Sequence, residues 1–143
     1  MKKFILLLII PFLFFGGCAN SQKKKMVEEL VEKGTTKDPI MYYDGKLYSG
    51  IAVYVDDDGV PWKEEGYKEG KLHGKTQIYF DDGVGKKIEK VRFYKNGQKH
   101  GAFKTFFYNG NVSQERFWKN NERVGIWTAY DESGQVLYTE DFQ

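Results

Sequence analysis

A short pattern that recurs along the chain constrains its fold more than any other feature. Tyr94-Lys95-Asn96-Gly97-Gln98-Lys99-His100-Gly101 is preceded by Tyr67-Lys68-Glu69-Gly70-Lys71-Leu72-His73-Gly74 and followed by Trp118-Lys119-Asn120-Asn121-Glu122-Arg123-Val124-Gly125. A looser copy, Tyr43-Asp44-Gly45-Lys46-Leu47-Tyr48-Ser49-Gly50, comes first. The closing glycines stand at 50, 74, 101 and 125, spacings of 24, 27 and 24 residues. Repeats of this length are supersecondary units that bury their apolar surface only by stacking on one another.

Each unit carries two turn signals. One is the opening element, as in Asn96-Gly97; the other lies about a dozen residues on, as in Asp57-Asp58-Gly59, Asp81-Asp82-Gly83, Asn109-Gly110 and Ser133-Gly134. Asn-Gly and Asp-Gly accept positive φ cheaply and reverse strands tightly. Between the turns lie short runs rich in Phe, Tyr, Val, Ile and Thr, such as Ile88 to Tyr94 and Val112 to Trp118. Strands this short, with turns this frequent, predict an antiparallel meander. The expected fold is all-β: repeated hairpins in an elongated, twisted single-layer sheet over 41–143, preceded by a short helix. Phe103/Phe106 and Trp127/Tyr130 are three residues apart, so alternation cannot put both members of a pair on one face without a bulge or a strand end.

Before the repeats, Met1-Lys2-Lys3 precedes an unbroken apolar run from Phe4 to Phe15, then Gly16, Gly17 and Cys18. Twelve helical residues span roughly 18 Å, short of the ~30 Å hydrocarbon core, so the run reads as a secretory signal. Cys18 is the only cysteine, which leaves no intramolecular disulfide and no Cys-based metal site. Phe15-Gly16-Gly17-Cys18 resembles the bacterial lipobox, with Phe15 where that motif usually has Leu. The resemblance implies cleavage after residue 17 and a lipid-modified Cys18 bearing diacylglycerol and an acyl chain such as palmitate. It further implies a location in the cell envelope, with the outer membrane favoured in a diderm organism because Ala19 replaces the Asp of inner-membrane retention. Residues 18–40 then form the tether. Met26, Val27, Leu30 and Val31 recur at helical spacing, so a helix is expected from Lys25 to Lys33, packing on the first strands.

Without Lys2 and Lys3 the chain holds 20 basic and 20 acidic residues, which gives no electrostatic case for nucleic acid. His73 and His100 hold the same repeat position and should sit roughly 10 Å apart, too far to share a metal. Asp56-Asp57-Asp58-Gly59 reads as a hairpin turn and not a calcium loop. Glu89, Arg92, Glu115 and Arg116 read as a cross-strand charge ladder. Gly83-Val84-Gly85 has no helix after it, as a phosphate loop would require. No catalytic set, cofactor or metal is expected. The aromatic rows remain: Tyr67, Tyr94 and Trp118 on one face, and Tyr79, Phe106 and Tyr130 in a second row. An exposed aromatic row marks a binding surface.

Gly125-Ile126-Trp127-Thr128-Ala129-Tyr130, and Gly101-Ala102-Phe103-Lys104-Thr105-Phe106 with Phe for both aromatics, resemble the bacterial MORN-repeat variant over about residues 42–142. Gly74-Lys75-Thr76-Gln77-Ile78-Tyr79 keeps only the second aromatic, and the first unit, with Ala52 and Val55, keeps neither. The resemblance implies scaffolds, membrane-associated modules and, in bacteria, antitoxins or surface proteins. The leading expectation is a lipid-anchored envelope protein, not an enzyme, whose sheet binds another macromolecule. The alternative is an antitoxin-like partner that neutralises a toxin. A sugar-processing hydrolase would require two carboxylates about 5–9 Å apart in a pocket. Direct lipid-surface binding by the sheet is the remaining alternative.

Overall fold

A computed structural model describes residues 24–35, 38–84 and 86–143. The signal segment and Cys18 lie outside the described residues. Among the described residues thirteen strands follow in chain order: β1 (Lys24–Met26), β2 (Val31–Thr35), β3 (Asp38–Tyr43), β4 (Lys46–Leu47), β5 (Gly50–Val55), β6 (Pro61–Lys68), β7 (Lys71–Tyr79), β8 (Ile88–Lys95), β9 (Gln98–Lys99), β10 (Gly101–Phe106), β11 (Val112–Lys119), β12 (Glu122–Tyr130) and β13 (Val136–Phe142). The main sheet runs β1-β5-β6-β7-β8-β10-β11-β12-β13 with β9 on β8, and β2-β3-β4 form a separate three-stranded sheet. The meander from β5 to β13 is antiparallel, as expected.

The opening turns are nearly identical. φ is +49° and +70° at Asp44-Gly45, +51° and +78° at Glu69-Gly70, +50° and +84° at Asn96-Gly97, and +50° and +71° at Asn120-Asn121. Positive φ at both central residues is the type I′ signature, whose twist matches that of paired strands. Glu69 is the one first-position residue without the short Asp/Asn side chain that tolerates this region. Glu69→Asn should therefore raise stability by about 0.5–1 kcal/mol, read as a shift in the urea midpoint; an unchanged midpoint would show the turn is unstrained there.

The far turns explain the uneven period. Asp56 N–H donates to the Val60 carbonyl, Phe107 to Asn111 and Asp131 to Gln135, whereas in the second unit Phe80 donates to Lys87. The three extra residues of the 27-residue unit lie in that loop. Asp56 Oδ1 accepts from the amides of Asp58 and Val60, so the acidic triplet forms the expected turn.

The bulges are periodic too. Register shifts fall at Tyr54/Val55, Ile78/Tyr79, Thr105/Phe106 and Ala129/Tyr130. Each leaves one residue of the next strand without a partner: Trp62, Glu89, Ser113 and Leu137. The second aromatic of each three-apart pair thus stands just past a bulge.

The segment 25–33 is not a helix. It forms β1, one 3-10 turn at Val27–Glu29 and the start of β2. Nine residues are too few for a helix to hold itself together in water, and the unpaired edge of β5 offers a full set of backbone partners. β1 takes that edge in parallel, Lys24 opposite Ile51 and Met26 opposite Val53. The β2-β3 hairpin then packs the small sheet against the first units, so among the described residues the layer is single only beyond them. Met41, Tyr48, Ala52 and Tyr67 form a buried cluster with Leu30, Tyr43, Tyr54 and Leu72 packed around it.

Hydrogen bonds also link neighbouring units. The second turn residue donates to the carbonyl two positions before the preceding unit's glycine: Gly70 to Tyr48, Gly97 to Leu72 and Asn121 to Lys99. The residue just before the glycine reaches the same turn. Ser49 Oγ accepts from the Glu69 amide, and His73 and His100 place Nδ1 at 3.2 and 3.3 Å from Oδ1 of Asn96 and Asn120. The histidines are clips between units.

Candidate binding face

Two strand positions build one face of the sheet. Each repeat glycine lies opposite an aromatic residue: Gly50 and Tyr67, Gly74 and Tyr94, Gly101 and Trp118, Gly125 and Phe142. Positive φ at the last three, +79°, +94° and +63°, favours glycine on backbone grounds. Two residues on from each glycine stand Ala52, Thr76, Phe103 and Trp127. Where that residue is aromatic, the two positions interlock into a zigzag. Ring centroids step from Tyr94 to Phe103 (5.4 Å), Trp118 (5.8 Å), Trp127 (5.0 Å) and Phe142 (4.5 Å). Tilted pairs at these distances add to the apolar burial. Trp127 Nε1 anchors the spine by donating to the Phe117 carbonyl at 3.1 Å.

The row expected to join Tyr67, Tyr94 and Trp118 is interrupted. Tyr94 and Trp118 meet through Phe103, but the residue between Tyr67 and Tyr94 is Thr76, buried, its hydroxyl without a partner among the described residues. Tyr67 turns to Tyr48 instead (6.3 Å) and is 7% exposed, a core residue. Tyr79, Phe106 and Tyr130 are half-buried. Tyr79 lies near Gln77 and Glu64, away from the spine, so the two rows belong to opposite faces.

Beside Tyr67, Glu65 Oε2 accepts from both Tyr54 (2.8 Å) and Tyr67 (2.9 Å), and Oε1 lies 3.3 Å from the Lys63 ammonium. Burial, and next the Glu65 charge, hold both phenols well above the ordinary tyrosine range. A raised folded pKa means the phenols' contribution is complete below the unfolded value of about 10 and is lost as pH rises past it. The melting temperature should hold to about pH 9 and fall above about pH 10, with the fall reduced in Tyr54→Phe. A flat profile to about pH 11 would show that the cluster is not buried as described.

The expected charge ladder forms only in part. Lys104 pairs across the strands with Glu115 at 2.7 Å, and Glu89 pairs with its neighbour Lys90 at 2.6 Å. The arginines go to rings: Arg92 sits 6.0 Å from the Phe103 centroid, Arg116 5.2 Å from Trp127, and Arg123 4.9 Å from Trp127 and 5.2 Å from Phe142. Lys99 lies 4.3 Å over Trp118. Among the described residues, none of these cations has a carboxylate within salt-bridge distance. Sequence reasoning missed Phe103, Trp127 and Phe142 as spine members and these cations as their companions. The glycine-opposite-aromatic register that unites them is visible only once the strands are paired. Among the described residues no three of His, Cys, Asp and Glu converge as a metal site would need.

Residues 99–120 and 123–143 match the family model of the MORN repeat variant. These segments are the units in which both spine positions are aromatic. No curated protein matches the chain.

Proposed function

We propose, taking MORN-variant repeats as the premise, that this chain is a non-catalytic binding module held at the cell envelope by lipid on Cys18. The aromatic spine and its cations, which have no carboxylate partner among the described residues, carry the reading, because they lie on an open face of the sheet. Trp, Tyr and Arg are the residue types that dominate binding energy at protein interfaces. The lipobox-like Phe15-Gly16-Gly17-Cys18 supports the anchor, and the polar stretch Asn20 to Lys23 ahead of β1 supports a tether leaving the membrane.

Photo-crosslinking in whole cells tests the binding face without dismantling the spine. A photoreactive residue at Gln114, on the spine face, should capture a partner; one at Phe93, on the opposite face, should not. Capture only from Phe93 would move the site to the other face, and capture from neither would end the reading. The same cells test the anchor: Cys18→Ser should shift the protein from the membrane to the soluble fraction.

A further inference from the structure

Charge is unevenly spread along the spine face. The residues opposite Ala52, Thr76, Phe103 and Trp127 are Glu65, Arg92, Arg116 and Glu140. Acids stand at the two ends and arginines in the middle. Glu65 is engaged by Lys63, Tyr54 and Tyr67 and does not reach across to neutralise them. Arg92 and Arg116 flank Phe103 from the two adjacent strands, two ladder steps or roughly 10 Å apart. With Lys99, Tyr94, Phe103 and Trp118 they line an open trough of about 210 Å³.

We propose that this trough binds an acidic peptide segment, with carboxylates taken by Arg92 and Arg116. The proposal rests on the spine face being the binding face and adds the chemistry of its partner. A guanidinium fork matches a carboxylate in two parallel hydrogen bonds; Arg116 lies on a ring, Arg92 also hydrogen-bonds Tyr94, and neither has a carboxylate partner among the described residues. Aromatic flanks lower the local dielectric, so each new ion pair is stronger than in open water. Nucleobases bind such strips by stacking on open ring faces. Here Lys99 already covers Trp118, and Arg116 and Arg123 share Trp127, so the strip presents charge and not bare rings. Acidic and basic residues nearly balance over the whole chain, so attraction is confined to about a Debye length from the trough. That favours a local pair of carboxylates over a long polyanion held at a distance. Two carboxylates roughly 10 Å apart correspond to about three residues of extended peptide.

The test uses the full chain in detergent and a fluorescent poly-glutamate peptide, with poly-glutamine and a single-stranded oligonucleotide as comparators, followed by anisotropy. Poly-glutamate should bind, and added salt should weaken it. Arg92→Gln and Arg116→Gln should each weaken binding about tenfold, while Lys75→Gln on the opposite face should change it less than about twofold. Circular dichroism and melting curves confirm that each variant is folded. Equal affinity for poly-glutamate and poly-glutamine, or arginine variants that bind like the parent, would overturn the proposal. Tighter binding of the oligonucleotide would overturn it in favour of a phosphate polymer. If crosslinking through Gln114 succeeds while poly-glutamate fails, the face stands and only the acidic partner falls.

Discussion

Trp127→Ala should destabilise the protein by about 3–5 kcal/mol, the range for loss of a buried aromatic side chain. Trp127 is 8% exposed, touches Trp118 on one side and Phe142 on the other, and closes a hydrogen bond to the Phe117 carbonyl. In a stacked array each unit leans only on its neighbours. Removing this ring leaves the β11–β12 backbone ladder but loses the side-chain packing of β12 and β13 on the units before them, and among the described residues no second layer lies over that end to compensate. Urea unfolding should show the lower midpoint, and hydrogen exchange should show β13 losing protection before β7. Leu137→Ala is the control: Leu137 is 64% exposed at a bulge and should change stability by less than about 0.5 kcal/mol. A cost for Trp127→Ala below about 1 kcal/mol would mean that the rings decorate the sheet without holding it.

Gly70→Ala should cost about 2–4 kcal/mol, the sum of two separable effects. The first is backbone strain, since φ is +78°. The second is space: an added Cβ would meet Ile40 Cγ2 at 2.7 Å and both Leu47 Cδ2 and the Met41 carbonyl oxygen at 3.0 Å. Gly45 holds the same turn position at +70°, with nothing within 4 Å of such a Cβ. Gly45→Ala should therefore show only the strain, about 1–2 kcal/mol. Comparing the two melting temperatures isolates the packing of the small sheet on the repeats. Equal losses would mean that β3 and β4 do not rest on Gly70 in solution. Gly70 also donates to Tyr48 and accepts from Met41, so its displacement would disturb both sheets.

The candidate site was partly legible in advance. Tyr94 and Trp118 could be paired from the repeat alone, because equivalent positions in stacked hairpins face the same way. Tyr67 holds the same repeat position but joins the core, because the small sheet folds over its unit and Thr76 breaks the row beyond it. Arg92 and Arg116 read as ladder members; what separated them from the acids was the identity of the residue across the strand. Opposite Arg116 is Phe103, whereas Glu115 meets Lys104.

Turn chemistry is local, and the sequence by itself determined the turns. Asp44-Gly45 and Asn96-Gly97 favour positive φ whatever surrounds them, so the hairpins, their period and the all-β class follow from short stretches of chain. Register and partner choice are not local, and only the tertiary structure decided them. Segment 25–33 carries an apolar pattern compatible with a helix, and the free edge of β5 drew part of it into the sheet as β1. The zigzag of rings likewise depends on which residue lies across each strand. Backbone preference chose where the chain reverses, and competition among distant partners for edges and buried faces chose what each strand meets.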